Sequence, residues 1–123
     1  MKAWRNRQTD AQQRGQSGED RALAVLQQQG LKLITRNFSC RLGELDLIMQ
    51  DRETLVIVEV RYRADQRYGG ALASITPAKQ QKIVRATRFY LCQHPWPGPI
   101  RFDVLALTGD QHQWLKNAWL VND

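Results

Sequence analysis

Residues Gly43 to Arg63 read GELDLIMQDRETLVIVEVRYR, two apolar runs around a short polar break. Leu45 to Met49 and Leu55 to Tyr62 are rich in Leu, Ile and Val, and the polar stretch Gln50 to Thr54 between them marks a β-hairpin. Side chains alternate along a strand, so Leu55, Ile57, Glu59, Arg61 and Arg63 share one face, and Val56, Val58, Val60 and Tyr62 the other. Glu59 and Arg61 are therefore charged groups on an otherwise aliphatic face. If Arg52 and Glu53 form a two-residue turn, Asp51 pairs with Thr54, and counting back along both strands sets Asp46 opposite Glu59. A three-residue loop without a bulge would instead put the two carboxylates on opposite faces.

Facing side chains in a sheet have Cβ atoms about 4.5–5.5 Å apart, and like charges there repel. Two groups could compensate Asp46 and Glu59. A hard divalent ion takes oxygen ligands, and two carboxylates with waters and a phosphate oxygen would satisfy it. Arg61, two residues along the same face, is the other candidate, and with it the hairpin becomes an ordinary one carrying a surface Glu–Arg pair.

The residues G-E-L-D-L-I, a short turn and E-V-R-Y-R resemble the YraN family, also designated UPF0102. The resemblance takes in G-Q-S-G-E-D-R-A at Gly15 to Ala22, R-N-F-S-C-R-L-G-E-L-D-L-I at Arg36 to Ile48, E-V-R-Y-R at Glu59 to Arg63, S-I-T-P-A-K-Q at Ser74 to Gln80 and R-F-D-V at Arg101 to Val104. The fold it implies is that of the PD-(D/E)-x-K nucleases, alongside the archaeal Holliday junction resolvases. On that resemblance Asp46 corresponds to the metal-binding aspartate, Glu59 to the second acidic ligand, and Arg61 stands where lysine is usual. A glutamate on the first helix joins the site in resolvase-like proteins, and Glu19 in G-x-x-G-E corresponds to it.

The 123 residues fit one domain with a real core. Cys40 and Cys92 are too few for a disulfide framework. No apolar run approaches the roughly 18 residues of a membrane span, and the N-terminus lacks the apolar core of a signal peptide, so the expected location is cytoplasmic. Lys and Arg exceed Asp and Glu by six, and a pI of about 9.8 points to a polyanionic partner. The basic residues are spread over several segments rather than gathered on one amphipathic helix, which favours nucleic acid over a membrane surface.

Along the chain, residues 1–8 read as a flexible basic arm and residues 9–123 as a single domain. A helix begins between Thr9 and Ser17, both N-cap candidates, and ends near Gly30. Glu19 lies three, four and seven residues before Ala22, Leu23 and Leu26, on the stripe that faces the core. Its other reading is a first-turn carboxylate at the positive end of the helix dipole. Leu31 to Phe38 is the first strand, with a turn at Ser39 to Leu42. After the hairpin a polar segment ends in Tyr68-Gly69-Gly70, a loop beside Glu59 with Arg63, Arg67 and Tyr68 as candidate nucleic-acid contacts. Thr76-Pro77 opens a second helix, from whose start Lys79 could reach the hairpin carboxylates. Lys82, Arg85 and Arg88 form either a phosphate-contacting row or a solvated face. Ile100 to Leu107 is a strand, Thr108 to Gln111 a turn and His112 to Val121 a last strand or irregular segment. Asp103 is read equally as an ion-pair partner or a catalytic group, and His94 and His112 lack metal-ligand spacing.

The order helix, three strands, helix, then one or two strands gives an α/β domain with a central mixed sheet and flanking helices, the restriction-endonuclease-like core of the resemblance. The function this implies is Mg²⁺- or Mn²⁺-dependent endonuclease action on nucleic acid, DNA in preference to RNA, branched DNA included. Asp46, Glu59 and Arg61 would be catalytic, Glu19, Asp46 and Glu59 would hold the ion, and a homodimer is allowed. Two alternatives stand beside it: an inactive nucleic-acid-binding module, and an assembly partner that docks another protein.

Overall fold

In a computed structural model, which describes residues 10–62 and 74–121, the hairpin forms in the register that a two-residue turn requires. Strand β2 (Gly43–Asp51) pairs antiparallel with β3 (Thr54–Tyr62), with Asp51 opposite Thr54 and Leu47 opposite Val58. Arg52, the first turn residue, has φ of 57°, a left-handed conformation that suits the first central position of a type I′ or II′ turn. Strand β1 (Lys32–Cys40) pairs antiparallel on the outer side of β2, two residues longer at its C-terminal end than the sequence suggests.

Helix α1 (Asp10–Gln28) precedes the sheet. Its start corrects one reading: Ser17 is an interior helical residue, not an N-cap, because the helix already runs from Asp10. Thr9 and the arm at residues 1–8 lie outside the described residues, as do Arg63, Arg67, Tyr68 and the glycine pair beside them. The other end follows the sequence. Gly30, at φ of 96°, closes the helix in a Schellman arrangement: the Gly30 N–H donates to Gln27 O at 3.0 Å and the Leu31 N–H to Leu26 O at 3.1 Å.

Helix α2 (Pro77–Gln93) has the expected N-terminus, with Pro77 at the first position and the Thr76 hydroxyl accepting from the Lys79 N–H. It crosses from β3 to β4 (Ile100–Thr108), which pairs parallel to β3. Strand β5 (Gln111–Leu115) then turns back antiparallel on β4. The sheet order is β1-β2-β3-β4-β5, a five-stranded open mixed sheet.

The alternating faces of the sheet are covered by different helices. Ala22 and Leu26 of α1 pack with Leu31, Leu47, Met49, Val56, Val58, Leu105 and Leu107. Ile83, Ala86 and Tyr90 of α2 pack on the other face with Leu45, Ile48, Leu55, Ile57, Phe102 and Val104. Leu45 and Leu47, two apart, thus sit under different helices, so the alternation of β2 breaks at Asp46. Beside it in β1, Arg36 turns toward α1 and Phe38 toward α2, with Asn37 between them at φ of 58°. The sheet is irregular at the level where the acidic residue stands.

Asp103 proves to be structural. Its side chain is fully buried and accepts from Arg101 Nε at 2.9 Å and Nη2 at 3.0 Å, from Trp114 Nε1 at 2.9 Å and from the Asn117 N–H at 2.9 Å. Burial works against the Arg101 charge, but the Asp103 and Asp51 carboxylates outweigh it and hold the guanidinium pKa above its usual value. A carboxylate with its acceptor sites filled in this way is a brace between β4 and the segment after β5, not a reacting group. Cys40 and Cys92 are free thiols. No helix among the described residues is long and apolar enough to cross a membrane.

A candidate metal-dependent site at the end of the hairpin

A regular ladder would carry the β2–β3 pairing from Leu47 opposite Val58 to Asp46 opposite Glu59, but the register ends at Leu47. In place of a backbone acceptor, the Val60 N–H donates to Asp46 Oδ2 at 2.9 Å. The Asp46 carboxylate therefore stands between the two strands, anchored by one oxygen. A pocket of about 270 Å³ opens in this fork, lined by Gly18 and Glu19 of α1, Glu44 and Asp46 of β2, and Glu59, Val60, Arg61 and Tyr62 of β3.

Glu59 is 8 % exposed, and it does not behave as an isolated carboxylate. Burial pushes its pKa up to about 9, and a hydrogen bond to Asp46 and the Asp46 charge add to this, against the opposing pull of Arg61 and Lys79. At neutral pH the metal-free pair therefore holds a proton between its oxygens. Arg61 Nη2 lies 3.8 Å from Glu59 Oε1, a loose contact, and its buried Nε finds no hydrogen-bond acceptor among the described residues. That guanidinium keeps donor capacity for an anion entering the pocket.

Glu19 faces the same pocket from α1. Burial raises its pKa, with the Asp46 charge acting the same way, while Arg36 and Asn37 pull it back. Arg36 Nη2 lies 3.6 Å from Glu19 Oε1 and 2.8 Å from Asp20 Oδ1, so β1 tethers the helix carboxylate. The acidic residues fit a hard cation in one specific way. Among the described residues no three His, Cys, Asp or Glu side chains converge as a full ligand set, but Asp46 and Glu59 do converge, and the proton they share occupies the place of a positive charge. Mg²⁺ is held by one or two carboxylates, waters and substrate phosphate rather than by an all-protein cage.

Of the residues singled out in the sequence, the structure brings Glu19, Asp46, Glu59 and Arg61 around one pocket, with Lys79 near enough to act on the charge of Glu59. It sets Arg85 apart: that side chain lines a second groove of about 310 Å³ with Pro77, Val84, Arg88 and Trp119. Lys82 is exposed on α2. Sequence reasoning missed Glu44, Gly18 and Tyr62 as lining residues, and Arg36 and Asn37 as partners of Glu19. Alternation alone assigns Tyr62 to the face away from Glu59, and only the fork between β2 and β3 lets one pocket reach both.

A model of the family described as "Uncharacterised protein family UPF0102" matches residues 18–107. The chain is 55 % identical over 104 residues to a UPF0102 protein of Herminiimonas arsenicoxydans, covering 85 % of this chain and 84 % of the relative. It is 53 % identical over 110 residues to one of Janthinobacterium sp. (strain Marseille), covering 89 % of each. A UPF0102 protein of Aeromonas hydrophila is 50 % identical over 119 residues, 94 % of this chain and 92 % of the relative.

Proposed function

The chain belongs to the UPF0102 family, and from the proton-sharing carboxylate pair in the β2–β3 fork we propose that it is a divalent-metal-dependent phosphodiester hydrolase acting on nucleic acid. The fold in this reading is a restriction-endonuclease-like core, as the nuclease resemblance implies, and the substrate class is DNA, branched DNA included. The observation that carries it is the convergence of Asp46, Glu59 and Arg61 on one open pocket, with Asp46 held there by the Val60 N–H. Buried Glu59 beside half-buried Asp46 is costly as a second negative charge unless a proton or a cation offsets it.

Asp46 and Glu59 hold the ion, and Glu19 stands across the pocket from them. A bound Mg²⁺ or Mn²⁺ supplies a Lewis acid and a coordinated water of lowered pKa. Arg61 turns its guanidinium toward a phosphate oxygen and offsets the charge that grows there. A guanidinium carries donors and no acceptor, so it does not remove a proton. Lys79 adds a second positive charge at the rim.

The arginine favours a second reading, a nuclease-like fold kept for nucleic-acid binding without turnover. One set of proteins separates the two. If a cation suffices at this position, wild type and Arg61→Lys cleave junction, flap or single-stranded DNA in Mn²⁺ within about tenfold of each other, which corresponds to about 1.4 kcal/mol in the barrier. If a proton acceptor is required, the wild type is inactive and Arg61→Lys gains activity. Asp46→Asn keeps the shape and removes the charge, so it should abolish cleavage in either case. No cleavage by wild type or Arg61→Lys on any of these substrates in Mg²⁺ or Mn²⁺, with binding to them retained, favours the binding module over the hydrolase.

A further inference from the structure

Tyr62 is the last described residue of β3 and is 54 % exposed, an unusual position for a tyrosine at the end of a strand whose preceding residues are mostly buried. Gly18 of α1 is its neighbour: a Cβ there would meet Tyr62 Cδ2 at 3.8 Å and Leu107 Cδ1 at 3.4 Å, ordinary van der Waals distances. The strand itself is locked by the parallel pairing of Tyr62 with Leu107. Among the described residues the ring is thus largely uncovered, at the mouth of the pocket that holds Asp46, Glu59 and Arg61.

From this we infer that Tyr62 is a stacking platform for an unpaired nucleobase, positioned so that the phosphate next to that base enters the pocket. Three residues separate Tyr62 from Glu59, about 10 Å along an extended strand, a span one nucleotide can bridge. A paired base has its faces covered by its neighbours, whereas a single-stranded, frayed or extruded base can lie on an aromatic ring. The excess of six positive charges provides the sequence-independent attraction for the backbone, and the ring provides the preference for unpaired nucleotides. The inference rests on the proposed nucleic-acid substrate and adds its class: a strand with at least one unstacked base beside the scissile phosphate.

The test is binding, measured without any divalent ion so that turnover plays no part. Fluorescein-labelled single-stranded oligothymidine, the same oligonucleotide with abasic sites, its RNA counterpart oligouridine and a blunt DNA duplex are titrated in EDTA at low salt, with anisotropy as readout. Tyr62→Ala should weaken binding of the base-bearing single strands by about tenfold or more. Tyr62→Phe should retain it, the abasic strand should bind wild type as weakly as Tyr62→Ala binds the base-bearing one, and duplex affinity should not change. The difference between oligothymidine and oligouridine identifies which nucleic acid the platform serves. Equal binding of base-bearing and abasic strands by wild type, or a loss in Tyr62→Phe equal to that in Tyr62→Ala, overturns the inference. Its fate is separable from that of the hydrolase reading: stacking intact with no cleavage in Mn²⁺ defeats only the latter, and cleavage of single strands unaffected by Tyr62→Ala defeats only the former.

Discussion

Glu59 is where the chemistry of a single residue predicts the behaviour of the whole protein. Its carboxyl keeps a proton up to about pH 9 in the folded, metal-free chain, against an ordinary value of 4.5. Between those limits the folded state binds more protons than the unfolded state, so stability falls as pH rises. The contribution is complete below about pH 4.5 and is lost as pH climbs through about 9. Glu59→Gln keeps a donor toward Asp46 and has nothing to release. Thermal melts in EDTA at pH 5, 7 and 9 should therefore show the wild-type midpoint dropping with pH relative to the variant, and parallel curves would refute the shared proton. Adding Mn²⁺ at pH 8 should raise the wild-type midpoint more than that of Glu59→Gln, because the ion takes the proton's place only where a second carboxylate can ionise. That the two acids meet was readable from the chain by counting residues back from a two-residue turn. The side-chain bond from Asp46 to the Val60 N–H was not, since it exists only where the ladder has stopped.

At the scale of elements, the hairpin is held at its tip by a segment distant in sequence. Trp96 Nε1 donates to Glu53 O at 3.0 Å, and the Leu55 N–H donates to Pro99 O at 2.9 Å. Gly98 lies so near the turn that a Cβ would come within 2.3 Å of Glu53 O. That is a backbone atom with little room to yield, so Gly98→Ala should cost about 1–3 kcal/mol, as overpacking does, and lower the melting midpoint by about 4–12 °C. Arg52→Gly should act in the opposite sense. It relieves about 1–2 kcal/mol of left-handed strain and adds about 0.5–1 kcal/mol of chain entropy, leaving a gain of about 0.5 kcal/mol that melting should reveal as about 2 °C. Gly98→Ala melting with wild type would mean that the connector does not clamp the turn. Local signals in the sequence carried the hairpin, the Thr76-Pro77 start of α2 and the Gly30 end of α1, because each depends on residues within a few positions. The start of α1 was left between Thr9 and Ser17, and of the two N-cap candidates Ser17 is excluded by a helix that already runs from Asp10. The fate of Asp103 was out of reach, since two of its four donors come from Trp114 and Asn117 and the other two from a guanidinium that also reaches Asp51.

The whole molecule divides its two tasks between the two ends of one sheet. At the hairpin-tip end, Arg101 joins Asp51 to Asp103, and the connector after α2 covers the turn. At the other end, where β3 and β4 run out in parallel, β2 parts from β3 and the acidic pocket opens, the usual place for a ligand in an open α/β sheet. The N-terminus of α2 lies toward this end as well, which puts Lys79 near Glu59 and leaves Lys82 and Arg85 exposed further along the helix. With Arg63 and Arg67 these make five basic residues as candidate phosphate contacts. If all five engage, the slope of log K against log salt is about −3.5 to −4.5. Affinity for a mixed-sequence strand should then fall about 100- to 500-fold between 50 and 200 mM salt. Lys82→Ala and Arg85→Ala should each reduce the slope by about one if the helix row touches the backbone. Because Arg85 borders the groove beside Trp119 rather than the acidic pocket, an unchanged slope in Arg85→Ala with a reduced one in Lys82→Ala would confine the backbone path to the Lys79 side of the helix. A salt-independent affinity in the wild type would count against nucleic acid as the partner altogether.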